Sequence, residues 1–379
     1  MARPIYLDYN GTTPHAPEVI DAMLPFLHNE FGNPSSSHAY GLAPKQAVVE
    51  ARAQVAGILG CSSSEILFTS GGTESNNHAL KSIAGAGYAK GNHIITTVIE
   101  HPAILKVCGF MEDHGFAITL LPVDTDGLVK PSDVAAAIRP ETIMISIMHA
   151  NNEVGTVQPI GEIAELARQH DIMMHTDAAQ SVGKLPTLVD DLNVDLLSVA
   201  GHKVYAPKGI GALYIRDGID AESFCHGAAQ ENGRRAGTEN VLEIVGLGKA
   251  CEIAAVELEM RGGGMQEMRD RLEEGLAAAL TDIRFNGHRE HRLPNTSSVS
   301  FKDLEANRIL AAISSAVAAS AGAACHADQV EISHVLTAMQ VPEEWAKGTL
   351  RFSTGRFTTK DEIDRALEVI VEAVKGLRK

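Results

Sequence analysis

The chain alternates short apolar segments with longer segments in which apolar residues recur at helical spacing. Residues 65–70 (EILFTS) and 92–100 (NHIITTVIE) are short and apolar, whereas residues 160–171 (IGEIAELARQHD) follow the helical repeat. Continuous apolar segments of this length favour strands that are buried on both faces, as in parallel sheets covered by helices. The alternation therefore predicts an α/β fold with a mainly parallel sheet.

Polar residues follow several of these predicted strands directly. The four polar stretches are SGGTESNN (70–77), HANNEVGT (149–156), HTDAAQ (175–180) and GHKVY (201–205). In open α/β sheets, ligands bind beyond the carboxyl ends of the strands. We therefore expect these four stretches to form one binding site.

The pattern changes near residue 262, which indicates a second domain. RGGG precedes an amphipathic helix, and NTSSVSFK (295–302) reads as a strand with alternating residues. A helix at about 304–313, a strand at TLRFSTG and a last helix at 359–377 follow. We predict a large domain at 16–254 and a smaller α+β domain formed by 1–15 and 255–379.

Charge and hydropathy exclude several classes of partner. The net charge is −16 and the chain has no block of Lys and Arg, which argues against nucleic acid and anionic membranes. No apolar run reaches the ~18 residues that a membrane helix needs. The N-terminal residues contain no apolar segment typical of a secretory signal, so we expect a cytoplasmic protein.

The cysteines argue against a disulfide framework or a zinc site. Their number is odd, their spacings are wide and no CxxC occurs, so reduced thiols are expected at Cys61, Cys108, Cys225, Cys251 and Cys325. A metal set of Cys325, His326, Asp328 and His334 is an alternative, but it lacks standard ligand spacing. We predict that the protein holds no metal.

Three of the polar stretches together indicate a pyridoxal phosphate site. Lys203 at a strand end could form a Schiff base, Asp177 could hold the pyridine nitrogen protonated, and Thr73 opens a helix whose N–H groups could bind a phosphate. Each has an ordinary alternative, namely a solvated lysine, a helix cap and a tight turn. Only their combination favours the cofactor site.

The chain resembles the cysteine desulfurases and their relatives the selenocysteine lyases, which are fold-type I pyridoxal phosphate enzymes. The resemblance spans nearly the whole chain. Its motifs are YLDYNGTTP, FGNPSSSHAYG, ILFTSGGTESNN, EHPAIL, ANNEVGTVQPI, HTDAAQSVGK, GHKVYAPKGIGALYI, RRAGTENV, GAACHA and LRFSTGRFTT. It implies a fold-type I transferase fold, with a mainly parallel seven-stranded sheet in the large domain and a smaller α+β C-terminal domain.

The resemblance also assigns cofactor contacts. It implies that Lys203 forms the Schiff base with pyridoxal 5′-phosphate, that Asp177 pairs with the pyridine nitrogen, and that Gln180 and Asn152 lie near the ring hydroxyl. His101 stacks on the ring and can move protons. The remaining implied contacts are with the phosphate, made by Gly72, Thr73, His202 and, from the neighbouring subunit of a homodimer, Thr238.

For the substrate, the resemblance implies that Arg351 binds the carboxylate, a task that suits a guanidinium, with Asn33 nearby. Cys325 then attacks the substrate sulfur. The implied reaction converts L-cysteine to L-alanine and leaves a persulfide on Cys325 for an unidentified acceptor. The alternatives are a selenocysteine lyase acting on L-selenocysteine, an aminotransferase in which Cys325 is incidental, and a non-catalytic partner of another desulfurase.

Some positions depart from the family pattern. Ala200 stands where many members carry a phosphate-binding Ser, and GAACHA is closer to selenocysteine lyases than to the GSAC of many desulfurases. The chain ends about two dozen residues after Arg356, so we expect it to lack the tail with which some members contact an iron–sulfur scaffold. Small residues before Cys325 suggest a mobile loop that carries the thiol, although tight packing of a turn is an alternative.

Overall fold

The computed structural model describes residues 3–87, 90–260, 264–326 and 329–379. Only the backbone is described at 86–87, 259–260, 323–326 and 329–331. Across these ranges, no helix combines the length and apolar character needed to cross a membrane.

Helices flank the sheets along the whole described chain. Their bounds are α1 Pro17–His28, α2 Ala39–Leu59, α3 Gly72–Gly87, α4 Pro102–Glu112, α5 Pro131–Ala137, α6 Ile160–Gln169, α7 Val189–Leu192, α8 Val241–Met260, α9 Gly264–Ala279, α10 Ala306–Ile313, α11 His334–Ala338, α12 Glu343–Ala346 and α13 Lys360–Leu377.

The strands are mostly short. Their bounds are β1 Ile5–Tyr6, β2 Ile66–Thr69, β3 His93–Thr97, β4 Ala117–Leu121, β5 Thr142–Ser146, β6 Met173–Asp177, β7 Leu196–Ala200, β8 Gly211–Ile215, β9 Ile283–Asn286, β10 Thr296–Phe301, β11 Val317–Ala318, β12 Ser320–Ala321, β13 Ala323–His326, β14 Gln329–Ile332 and β15 Thr349–Ser353.

The main sheet has seven strands in the order β2-β8-β7-β6-β5-β3-β4. Neighbouring strands from β7 to β4 are parallel, and β8 runs antiparallel to both β7 and β2. Strand β2 therefore points the same way as β7, and six carboxyl ends meet at one edge. The predicted mainly parallel, seven-stranded sheet is confirmed. Its strands are largely buried because helices cover both faces, except for the edge strand β4, whose residues are mostly half-buried.

A second hydrophobic core surrounds the four-stranded sheet β12-β15-β10-β9. It includes Ile5 and Leu7 from the N-terminal segment, where β1 pairs in parallel with β11. The C-terminal third also contributes to the main core, since Val335 and Leu336 pack there. The N-terminal segment thus packs with the C-terminal region, while the boundaries at 15/16 and 254/255 stay a prediction.

The segment before Cys325, which we expected to be a loop, forms strands. Ser320–Ala321 pairs with β15, and Ala323–His326 forms an antiparallel hairpin with Gln329–Ile332 in which Cys325 is opposite Val330. Small residues fit here because Gly322 packs closely: an added Cβ would lie 3.0 Å from Thr349 Cγ2. The Cys325 side chain and residues 327–328 lie outside the described part of the chain.

Glycine supports close packing between α2 and α8, which predicts opposite effects of two substitutions. A Cβ on Gly248 would lie 2.5 Å from Ala51 Cα, whereas a Cβ on Gly57 would meet no atom of the described chain within 4 Å apart from its own helix. We expect Gly248→Ala to lower the free energy of unfolding by ~1–3 kcal/mol because it overpacks the contact. Gly57→Ala should raise it by ~0.5–1 kcal/mol through helix propensity. Urea unfolding measures both, and equal changes would contradict the packing argument.

Candidate active site

The carboxyl edge of the main sheet brings together most of the residues that the sequence singled out. Asp177 ends β6, Lys203 lies in a short 3₁₀ turn after β7, and His101 follows β3 at the start of α4. Both Asp177 and Lys203 act electrostatically on His101. The three strand ends therefore form one charged site, as the topology predicts.

Lys203 is held by the N-terminal segment. Its Nζ donates hydrogen bonds to the backbone oxygens of Asn10 and Gly11, the latter at 2.7 Å. Burial and the nearby Arg351 lower the pKa of Lys203 to about 8, although Asp8 and Asp177 act in the opposite direction. A substantial fraction of this lysine is therefore neutral near physiological pH, as a nucleophilic amine must be.

Asp177 is a buried carboxylate with fixed orientation. Its side chain is 7% exposed and accepts hydrogen bonds from Asn76 Nδ2 at 2.7 Å and from the Ala179 amide at 2.9 Å. Asn76 lies on α3, so the helix that follows β2 also positions the carboxylate at the end of β6. A carboxylate held in this way can pair with a protonated ring nitrogen.

His101 caps α4, which determines its tautomer. Its Nδ1 accepts a hydrogen bond from the Ala103 amide at 3.1 Å, so the neutral ring carries its proton on Nε2. Burial lowers the pKa of His101; Asp177 raises it, and Lys203 and His334 lower it further. His101 can therefore both cap α4 and take part in the site, because the cap uses Nδ1 and leaves Nε2 available.

The start of α3 is the place where the sequence predicts a phosphate-binding cup. The first N–H groups of a helix have no acceptor inside it, and here they lie beside β7, since a Cβ on Gly72 would be 3.2 Å from Ala200 Cβ. Thr73 is exposed at this position. His202 directly precedes Lys203, and the Nδ1 atom of His202 lies 3.1 Å from Thr12 Oγ1. Ala200 has no hydroxyl to add to the cup.

Arg351 reaches the site from β15. Its Nη2 forms an ion pair with Asp8 Oδ1 at 2.6 Å, and its Nη1 donates to the backbone oxygen of Asn152 at 3.0 Å. Its Nε is buried and has no partner among the described residues. A substrate carboxylate must therefore compete with Asp8 or use this remaining donor. Asn152 enters the site through its backbone, not through a described side-chain contact.

Asn10 is a central residue that the sequence reasoning missed. Its backbone oxygen accepts hydrogen bonds from Lys203 and from Gln180 Nε2, and its own Nδ2 donates to Asn152 O and Thr296. The motif YLDYNGTTP contained this residue, but nothing in the sequence indicated which of its groups would be used. The signal available in the sequence was that Asn10 is followed by Gly11, since an Asn-Gly pair is typical of a turn.

Glu100 was also missed. Its carboxyl group is buried, accepts hydrogen bonds from Thr97 Oγ1 and the Met148 amide, and lies close enough to Asp177 to interact with it. Burial raises the pKa of Glu100 to about 8. It is therefore largely protonated near neutral pH and adds little negative charge beside Asp177.

Several predicted site residues are not joined to this cluster. Asn33 and Thr238 are exposed, and in the described ranges no hydrogen bond links either of them to the strand-end residues. The proposed metal set depends on the side chains of Cys325 and His326 and on Asp328, which lie outside the described residues. His334 instead pairs through Nε2 with the Glu100 backbone oxygen at 3.1 Å.

The donor set fits pyridoxal 5′-phosphate. A lysine with a lowered pKa, a buried carboxylate and a helix N-terminus lie at one edge of the sheet, and these are the groups that the aldehyde, the pyridine nitrogen and the phosphate require. The buried Nε of Arg351 is a donor without a partner among the described residues, as expected where an anion binds.

Comparison with known proteins agrees with this site. The family described as aminotransferase class-V matches residues 5–366. The chain belongs to this family.

Its relatives include a cysteine desulfurase IscS of Dictyoglomus turgidum, which is 48% identical over 100% of this chain and 96% of the relative. A cysteine desulfurase IscS of Methanosarcina thermophila is 49% identical over 99% of this chain and 93% of the relative. The predicted membership of the cysteine desulfurases is therefore confirmed, and pyridoxal 5′-phosphate is the cofactor that this family uses.

Solved structures confirm the predicted fold. A NifS-like protein superposes with a TM-score of 0.92 at 36% identity and covers 98% of this chain and 100% of its own. A structure described as SspA in complex with cysteine has a TM-score of 0.82 at 39% identity, covering 93% and 99%. The fold is thus that of fold-type I pyridoxal phosphate enzymes.

The geometry of Asp177 predicts a large loss of activity without loss of folding. In Asp177→Asn, the side chain can no longer hold a ring nitrogen protonated, so we expect turnover of cysteine to fall ~10²–10⁴-fold. Asp190→Asn is a matched control, because the Asp190 side chain is 77% exposed and pairs with Arg216 away from the site. Steady-state rates of cofactor-loaded variants measure the effect. Near-wild-type turnover of Asp177→Asn would refute the assignment.

Proposed function

We propose that this enzyme converts L-cysteine to L-alanine and transfers the sulfur through Cys325 to an acceptor. The observation that carries the proposal is Lys203, whose amine has a pKa lowered to about 8 and lies at the sheet edge with Asp177 and Arg351. A family of desulfurases supplies the context for this chemistry.

Lys203 and His101 are the groups that move protons at the substrate. Pyridoxal 5′-phosphate, when bound, supplies an electron sink that stabilises negative charge at the substrate α-carbon. The Lys203 amine, neutral in part near pH 8, can take the α-proton and return it to carbon. The Nε2–H of His101 is the second group available, since its Nδ1 is used by the helix cap.

Arg351 orients the substrate. A guanidinium binds a carboxylate through two parallel hydrogen bonds, and the Asp8 carboxylate already occupies one such position. The relative whose structure contains cysteine supports an amino acid of this size as the ligand. We infer that the substrate carboxylate exchanges with Asp8, which would keep the charge of Arg351 neutralised in both states.

Cys325 is the proposed acceptor of sulfur. Its thiolate attacks the substrate sulfur, a new S–S bond forms, and the bond between carbon and sulfur breaks with its electron pair moving to the substrate carbon. That carbon then takes a proton to give the methyl group of alanine. A thiol of the unidentified acceptor would take the outer sulfur from Cys325, which regenerates the thiolate.

The rival functions use the same scaffold. A selenocysteine lyase would need no different residue. The relatives from Dictyoglomus turgidum and Methanosarcina thermophila are named cysteine desulfurase, which favours L-cysteine over L-selenocysteine as the substrate. An aminotransferase would convert the substrate to a keto acid and leave the amino group on the cofactor. A non-catalytic partner would show neither product. Alanine and sulfide production from cysteine, beside rates on selenocysteine, distinguishes all four.

We also propose a homodimer with shared sites in the cytoplasm. Exposed apolar side chains on α1, α2 and the segment between them support a protein interface, with Phe31 at 76% and Tyr40 at 62% exposure. Thr238 lies exposed in a loop and could reach the partner's phosphate cup. Cysteines in the described residues are unpaired, which suits a reducing compartment.

Replacing the thiol tests the transfer step. Cys325→Ala should keep the cofactor and bind cysteine, yet release no sulfide and carry no persulfide, because no nucleophile remains near the substrate sulfur. Cys61→Ala is a matched control, since Cys61 is a free thiol just after α2, near Asp190 and Arg216 and away from the proposed site. Sulfide and alanine assays, with mass spectrometry of the Cys325 peptide, give the result. Desulfuration by Cys325→Ala at the wild-type rate would exclude this thiol as the nucleophile.

Subunit mixing tests the shared site. If Thr238 serves the neighbouring subunit, a mixed dimer of Lys203→Ala and Thr238→Ala subunits has one intact site and one site with both defects. Each mixed dimer should therefore recover up to half of wild-type activity, and a random equal mixture of the two variants up to a quarter. Each variant must first be shown to be impaired alone. Activity measured after subunit exchange gives the answer, and a fully active monomer in sedimentation would refute the composite site.

A further inference from the structure

Lys184 is a buried lysine that the proposed chemistry does not use. It lies in the turn after β6, its side chain is only 8% exposed, and its Nζ donates a hydrogen bond to Gln180 Oε1 at 2.9 Å. Within the described ranges, no carboxylate lies at ion-pairing distance from this amine. Burying an ammonium group without a counter-charge is unfavourable, so packing alone does not explain why a lysine stands at this position.

The contacts on both sides of Gln180 determine which way its amide points. The Asn10 backbone oxygen can only accept, so Nε2 must face it at 3.0 Å, and Oε1 then faces Lys184, whose ammonium can only donate. The two hydrogen bonds therefore agree on one orientation. Without Lys184, Gln180 Oε1 would lose its hydrogen-bond donor in a buried site. Only the hydrogen bond to the Asn10 oxygen would then orient the amide.

The same chain of contacts ends at Lys203. Its Nζ donates to the oxygen of Asn10 that also accepts from Gln180. Lys184 is thus connected to Lys203 through one amide and one shared carbonyl. Burial, followed by the charges of Lys203 and Arg351, lowers the pKa of Lys184 to about 7, so the amine of Lys184 lies close enough to Lys203 for their charges to interact.

We propose that Lys184 is a positioning residue of this site: it holds the N–H edge of the Gln180 amide beside Lys203, and its positive charge disfavours protonation of the Lys203 nitrogen. The proposal rests on the proposed function, because Lys203 must be the residue that carries the cofactor. The second N–H of Gln180 has no acceptor among the residues that the structure describes, so it would be available to an oxygen of the cofactor.

The test uses Lys184→Met, which keeps the length of the side chain but has neither donor nor charge. In the cofactor-loaded enzyme, the visible absorption changes with protonation of the nitrogen that joins Lys203 to the cofactor. Removing a nearby positive charge should raise the midpoint of this titration by about one pH unit. Lys106→Met is the matched control, because Lys106 is exposed on α4, and its midpoint should equal that of wild type.

A second measurement checks whether Lys184 acts through Gln180. If it does, the loss of kcat/KM in the double variant Gln180→Ala/Lys184→Met should be clearly smaller than the product of the two single losses. Multiplicative losses would overturn this route. A midpoint in Lys184→Met indistinguishable from that of wild type would overturn the electrostatic role.

A second variant and a labelling experiment on wild type complete the test. If Lys184→Met does not fold, Lys184→Gln, which retains an N–H donor but no charge, must show the same upward shift, and an unshifted midpoint there overturns the charge effect. Wild type is examined first by borohydride reduction and peptide mapping. Label on a lysine other than Lys203 refutes the proposed function, whereas label on Lys203 with an unshifted variant refutes only the role of Lys184.

Discussion

The arrangement of the site depends on one buried residue, Asn10, in the segment that follows the first strand. Its backbone oxygen accepts from Lys203 and Gln180, while its side chain reaches Asn152 O and the second sheet. Its amide donates to Ser353 Oγ at the end of β15. Polar groups of this one residue therefore link the second sheet to three loops that follow strands of the main sheet. Because unpaired buried polar groups are costly, this set of bonds favours a single arrangement.

The electrostatics of the site follow from that arrangement. The guanidinium of Arg351 lowers the pKa of both Lys203 and Lys184, and the charge of Lys203 lowers that of Lys184 further. Asp8 and Asp177 supply the compensating negative charge, and Glu100 stays largely protonated because it is buried. The result is a region in which amines are available in neutral form at moderate pH. Such shifts are typical of catalytic sites and arise here from burial together with like charges.

The sequence predicted the main sheet and most strand-end residues because apolar strands and the polar stretches after them are local patterns. Asp177 and Lys203 follow from this rule, whereas His101 was implied only by the family resemblance. Asn10 and Lys184 could not be found in this way, since their importance comes from contacts between segments that are far apart in the chain, as between Asn10 and Gln180. The strands before Cys325 were missed because small residues have weak strand propensity, and pairing with β15 decides their conformation.

The site is completed late in translation, because β15 lies near the end of the chain. Asn10 and Asp8 leave the ribosome first, but their partners Ser353 and Arg351 are among the last residues to be synthesised. The main sheet can form on the nascent chain, whereas the substrate-binding part of the site cannot close until elongation has nearly finished. A partly made chain would therefore contain Lys203 without Arg351, the arginine that we propose to bind the substrate. The contacts that complete the site thus join the first and the last segments of the chain to be synthesised.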